Sequence, residues 1–394
     1  MQKRVNISGR VAVGLVLGTI LITASSVSAV EFAIVGPRAM GMGGAGVAVT
    51  TDALATYWNP AGLAMQQSVD IRAQASAQLV DRLGVKDTLD AINSIDLSNI
   101  TPANLATLQG LLNTLNSGTV SAVGAAGLYW KGYFGDQAFG FNISDVATGG
   151  EFAPTPLTAG CTSTVPAPPC TLGASNSLNV TGQLTLRGLE ARQAAFSYAY
   201  AFADRTVSIG ATAKIIQGAA YNASVSVFQS NGDINFRNDL GKPEISTAIG
   251  IDVGAIYRPS SWLRFGVVGK DLNQPTFDAP GGQEFKLNPQ VRGGVAINPY
   301  ESLTIAFDGD ITSNQTLVPG IKSRVLSLGA EQTLPAEFIS LRVGALKNVE
   351  DAKSIITPTA GFGIRFFALR ADIGGGYDFR LGQYLASGSV SMTF

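Results

Sequence analysis

The sequence predicts an all-β fold, a transmembrane antiparallel β-barrel of about 14 strands with an N-terminal hatch inside its lumen. Three observations carry this: alternation of apolar and polar residues with period two along nearly the whole chain, alternation of short and long connections, and a low-charge composition behind a secretory leader. From Ser68 to Val80, for example, Val69, Ile71, Ala73, Ala75, Ala77 and Leu79 take one face, while Asp70, Arg72, Gln74, Ser76 and Gln78 take the other. Successive side chains of a strand point to opposite sides, so one face suits lipid and the other water. Closing such strands into a barrel satisfies every backbone hydrogen bond inside a bilayer.

The chain opens with Lys3, Arg4 and Arg10 around the start of an apolar run from Val11 to Ile22, then small residues and Val27-Ser28-Ala29. This is the pattern of a secretory signal peptide over 1–29. The run is too short for a membrane anchor, and Val30 stands where a lipoprotein would need Cys. The mature chain is expected to begin near Val30, outside the cytoplasm. Charged residues are 14% of the chain and glycines number 46, against about 25% charge and about 7% Gly in ordinary soluble domains. Removing Lys3, Arg4 and Arg10 leaves 24 basic against 28 acidic residues, a net charge of −4. Nothing there offers a footprint for nucleic acid.

After the hatch, assigned to 30–67, the barrel is assigned to 68–394. Its strands are placed at 68–80, 118–131, 136–148, 183–203, 206–218, 244–258, 263–271, 287–298, 302–311, 324–334, 338–347, 356–366, 368–378 and 385–394. Short turns fall at Gly132 to Gly135, Ala203 to Arg205, Pro259 to Trp262, Pro299 to Glu301, Pro335 to Glu337 and Phe366-Phe367, and longer connections lie between. Short periplasmic turns and long external loops are the asymmetry of outer-membrane barrels. Phe196, Tyr198, Tyr200 and Phe202 share a face just before a short turn, where an interfacial girdle belongs.

Two loops have internal character. Within 81–117, assigned as a helical external loop, Leu105, Leu108, Leu112 and Leu115 fall at helical spacing after Thr101-Pro102. That stripe suits a cap packed over the barrel mouth or a substrate-capture surface. The only cysteines, Cys161 and Cys170, share one loop. A local disulfide is the simplest expectation in an oxidising compartment. Metal binding would need further ligands, and the chain has no His.

Without His, a Ser or Thr nucleophile lacks its usual base, so no enzyme and no cofactor is expected. Parity instead sends Arg264, Lys270, Arg292, Asp308, Asp310, Arg342, Arg365, Arg370 and Asp372 to the lumen. A charge facing mid-bilayer lipid would cost about 2–4 kcal/mol. Asp308 and Asp310 share a strand face and suit pairing with Arg292, Arg342 or Arg365 rather than acid–base chemistry.

The run from Gly36 to Gly46 formally contains G-x-G-x-x-G at Gly41, Gly43 and Gly46. A dinucleotide site would need a preceding strand, a crossover helix and a later acid, and that context is missing. Glycines here, Gly44 included, let a backbone pass through a confined space. Pro37 and Arg38 sit within this run, which continues to Asp52-Ala53 and Trp58-Asn59-Pro60-Ala61. These motifs resemble the N-terminal hatch of the FadL-like outer-membrane superfamily, which includes long-chain fatty-acid channels and PorV-type secretion proteins. Phe265 to Phe277, Leu287 to Asp310 and Leu341 to Asn348 more closely resemble the barrel family called conjugal transfer protein TraF.

The resemblance spans essentially the mature chain and implies 14 strands around a hatch. It further implies passive uptake of hydrophobic or poorly soluble small molecules, with lateral escape beside an inward kink in the third strand, here 136–148 with Gly140 and Asn142. The alternative it implies is a non-enzymatic accessory role in conjugal transfer or protein secretion, with proteins of those systems as partners. An apolar pocket beside the hatch favours a channel, whereas an obstructed lumen crossed by charge pairs favours a structural barrel. Outer-membrane lipid and the barrel assembly machinery are the remaining expected partners. On the last strand Tyr384 and Phe394 share an outward face, and this terminal aromatic pattern resembles an assembly signal.

Overall fold

The alternation folds as a closed antiparallel barrel. The computed structural model describes residues 32–82, 84–95, 102–162, 177–225, 241–334, 338–380 and 382–394. In chain order, β1 (Asp70–Arg82), β2 (Thr119–Phe134) and β3 (Gln137–Phe152) precede a ribbon of β4 (Thr158–Thr162) and β5 (Ser177–Thr181). Then come β6 (Leu184–Phe202), β7 (Val207–Val225), β8 (Glu244–Ser260), β9 (Leu263–Lys270) and a ribbon of β10 (Thr276–Ala279) and β11 (Gln283–Lys286). Next are β12 (Gln290–Tyr300), β13 (Leu303–Asp310) and a ribbon of β14 (Asn314–Gln315) and β15 (Lys322–Ser323). The chain ends with β16 (Val325–Thr333), β17 (Ile339–Asn348), β18 (Thr357–Phe366), β19 (Leu369–Asp378) and β20 (Gln383–Thr393).

Leaving out the three ribbons, 14 strands form the barrel in sequence order, and β20 closes on β1 from Tyr384 opposite Leu79 to Thr393 opposite Asp70. Along β1 the outward Ile71 and Leu79 are exposed while Asp70, Arg72, Gln74 and Ser76 are buried. Phe196, Tyr198 and Phe202 are exposed on the outward face of β6. Pro259 and Pro299 sit where the β8–β9 and β12–β13 registers shift, the bulged positions at which a strand tolerates a residue without an N–H. The short turn at Phe367 and the one at Ala203, Asp204 and Arg205 use positive φ.

At the strand where the resemblance implies a kink, β3 pairs residue for residue without a register shift, with β2 from Gln137 to Glu151 and with β6 from Gln137 to Phe152. The strand also continues past Thr148, and β7 runs to Val225. Outside the barrel, α3 (Val85–Asn93) and α4 (Pro102–Ser117) pack Leu89, Ile92, Leu108, Leu112 and Leu115 against Leu157 and Leu184, with Leu105 partly buried. Their cover is therefore the β4–β5 ribbon and the far end of β6. Residues 1–29, Cys170, the side chain of Cys161 and the 335–337 turn lie outside the described residues.

Candidate functional site

The polar inward face is buried because residues 32–65 lie against it. Two short helices, α1 (Pro37–Gly41) and α2 (Ala55–Trp58), and a 3-10 turn over Pro60–Met65 shape this segment. Pro37 fits the first helical position after Gly36, whose φ is 90°, and the Asn59 side chain accepts from the Ala61 N–H at 3.1 Å. Trp58 is fully buried, its Nε1 donating to the Val35 carbonyl at 2.7 Å, and Tyr57 Oη donates to Ala33 at 2.9 Å.

Glycines set how closely the segment approaches the wall. Gly43 and Gly44 take φ of 68° and 89°, a region open mainly to glycine. A Cβ on Gly344 would strike Met42 and Gly43 backbone, one on Gly329 would strike Met42, and one on Gly374 would strike Pro37. Gly41 lies against Gly361. On other strands Gly210 meets Pro60 and Ala61, Gly254 meets Asn59, and Gly46 packs on the Trp58 ring.

Charge fixes the same path. Arg38 pairs with Glu331 at 2.6 Å, Glu331 with the buried Arg342 at 2.6 Å, and Arg342 with Asp372 at 2.8 Å. Arg370 also joins Asp372 at 2.9 Å. Asp52 pairs with Arg72 at 2.9 Å. Burial alone would raise the Asp52 pKa, but Arg72 and Arg38 outweigh it and hold the carboxyl below its ordinary value. Asp308 accepts the N–H groups of Gly46 and Val47 at 2.7 and 2.8 Å. Lys131 Nζ donates to the carbonyls of Thr51 and Gln66 at 2.6 and 2.7 Å.

Towards the far ends of β9 and β12 the contacts change character. Arg292 pairs with Asp310 at 2.6 Å and places its guanidinium 4.1 Å from the Phe32 ring centre. Lys270 Nζ lies 3.3 Å from the Tyr57 ring centre and 4.5 Å from that of Phe32. Lys214 bridges Asp252 and Asp271 at 2.8 and 2.7 Å. Between Phe32, Tyr57 and a wall of Val146, Leu189, Ala191, Ile216 and Leu287 is a cavity of about 50 Å³, room for a few waters.

Of the other residues singled out by parity, Arg264 Nη2 donates to Asn298 at 3.2 Å and Arg365 Nε to the Phe367 carbonyl at 3.1 Å. Tyr384 and Phe394 are exposed on the outer face, and the Phe394 N–H donates to Val69 at 2.9 Å. Glu331, Asp52's partner Arg72, Lys131 and the Lys214 cluster were not singled out as charges of the lumen. The same parity that selects Asp308 selects them, except Asp271, which stands one residue past the inward Lys270 and turns in at a φ of 52°.

A family model described as "F plasmid transfer operon, TraF, protein" matches residues 56–310. The chain belongs to this family. The TraF match runs from α2 to the end of β13, leaving Arg38, Glu331, Arg342 and Asp372 beyond it. No curated protein matches the sequence. Among solved structures the chain is similar to the CymD monoaromatic hydrocarbon channel, with TM-score 0.56 and 13% identity over 93% of this chain and 98% of that one. It is also similar to the toluene transporter TodX of P. putida, with TM-score 0.53 and 12% identity over 91% and 98%. For the Ralstonia pickettii toluene transporter TbuX the TM-score is 0.51, with 15% identity over 91% and 97%. This TraF-family chain thus shares its fold with these channel and transporter barrels.

Proposed function

We propose that the protein is an outer-membrane channel, closed at rest by its N-terminal segment, for passive uptake of hydrophobic or poorly soluble small molecules. It uses no cofactor or energy source. The supporting observation is the cavity beside the segment that would have to move, apolar at Phe32, Val146, Leu189, Ala191, Ile216 and Leu287 and polar at Lys214, Lys270, Asp271 and Gln290. The similar hydrocarbon channels and transporters add support through shared fold. In this reading 1–29 is a cleaved signal peptide, lipid surrounds the exposed apolar face, and the Tyr384 to Phe394 strand is what the barrel assembly machinery engages.

A second reading, an accessory of conjugal transfer, is favoured by the TraF match and by the unbroken pairing of β3, which gives no side exit. The test uses the purified barrel in lipid vesicles with toluene as probe. A channel should show saturable toluene uptake over protein-free vesicles and higher ion conductance once 32–60 is deleted. No uptake, with conductance unchanged in an assembled deletion barrel, would overturn the channel; loss of plasmid transfer on gene deletion would then support the accessory role.

A further inference from the structure

The outer wall carries one cluster of charges that the lumen does not use. Asp145 of β3 and Arg192 of β6 stand directly opposite each other in the register, both facing outward. Arg192 Nε lies 3.6 Å from Asp145 Oδ2, and its Nη2 is ion-paired with Glu190. The Arg192 side chain is nevertheless 63% exposed and that of Asp145 40% exposed. Elsewhere, outward positions in strand interiors carry apolar residues such as Ile71, Leu128, Ile249, Leu328, Val343 and Ile373.

With about 3.3 Å rise per residue and a tilt near 40°, Asp145 sits roughly 20 Å above the short-turn end of β3, within an apolar band about 25 Å tall. Around the cluster the wall is recessed. Ala126, Gly127, Ile143, Ala194 and Ile215 line an open depression of about 600 Å³ together with Asp145, Arg192 and Gln217.

We propose that this face is a two-fold interface between copies of this chain in the membrane. A cation flanked by acids is self-complementary. A two-fold axis along the membrane normal, passing between β3 and β6, maps each Arg192 onto the position facing the other copy's Asp145. Small residues at Ala126, Gly127 and Ala194 let the walls approach, as they do between packed membrane segments. The contact removes both charges from lipid. The inference requires only that the barrel spans a bilayer, and does not depend on what the lumen carries.

Complementary charge changes test it on folded, tagged barrels in lipid nanodiscs, with dimers counted by native mass spectrometry. The wild type is expected to be dimeric. Asp145→Arg sets arginines against arginines and Arg192→Asp sets acids against acids, so each alone should lose at least tenfold in dimer. Mixing the two variants should restore a heterodimer. A wild type that is monomeric, a dimer that neither variant weakens, or a depression found holding lipid in place of a second copy would overturn the proposal. So would failure of the mixed variants to associate once each alone has become monomeric.

Discussion

Two walls half a turn apart hold the same segment in different ways. On β16 to β19, Gly329, Gly344, Gly361 and Gly374 bring wall backbone against segment backbone, and the chain of Arg38, Glu331, Arg342 and Asp372 runs alongside. On β3, β6 and β7, the upper positions Val146, Leu189, Ala191 and Ile216 instead leave a cavity. Lower down the segment packs closely on these strands, at Gly140 and Gly210 and through Ala55, Leu63 and Ala64 against Ala138, Ala199 and Ala201. The segment is thus fixed to β16 to β19 through its first half and to β3, β6 and β7 through Pro60–Met65, and the recess lies above that second contact.

The contrast predicts a ranking of substitutions. Glu331→Gln strips a carboxylate from Arg38 and the buried Arg342, and should cost about 3–5 kcal/mol, read as a lower thermal midpoint by circular dichroism in micelles. An unchanged midpoint would mean the ion pairs do not anchor the segment. Gly344→Val drives a Cβ into the Met42 and Gly43 backbone, at an expected cost of about 1–3 kcal/mol. Added protease cleavage within 32–65 should accompany it, and full protection would contradict the packing argument.

Ala191→Val, on the cavity wall, should change stability by less than about 1.5 kcal/mol yet reduce toluene uptake in vesicles. A larger loss of stability than that of Gly344→Val would erase the difference between the walls. The smallest effect concerns pH. Because Asp52 titrates below its unfolded value of 3.8, its stabilisation is present above that value and is lost as pH falls through the depressed folded value. Asp52→Asn should flatten the acid limb of a stability–pH curve, and a curve identical to wild type would show that Asp52 is not a significant contributor.

The barrel was readable because period two is imposed on every strand that separates an apolar outer face from a polar inner one. Strand limits expected at 302–311 and 356–366 correspond to Leu303–Asp310 and Thr357–Phe366. Extension of β7 beyond Gly218 was missed because Ile216, Gln217 and Ala220 break the period, although Tyr221 to Val225 resume it. The ribbons at Thr276–Ala279 and Gln283–Lys286 were also missed: each is too short to show a period, and Phe277 and Phe285 are buried by tertiary packing. At the candidate site, parity identifies which face a charge takes but not its partner. Arg342 could have joined Asp308 or Asp310, and only the fold brings Glu331 and Asp372 to it.

The barrel's seam carries a consequence for the order of assembly. Val69 and Phe394 exchange both backbone hydrogen bonds where the segment leaves the lumen and β1 begins, so the first and last spans meet across nearly the whole length of the barrel sequence. Contacts of that range form late, because the loop they close is the whole molecule. Until they form, the sheet is an open curl with two unpaired edges. Arg38, Trp58 and the glycine-lined path must be seated while that curl is open, since threading 32–65 past its ion pairs into a finished cylinder would require breaking the wall contacts that define it. The segment is accordingly a template around which the last strands wrap, and its sequence constrains the biogenesis of the barrel as much as its resting state.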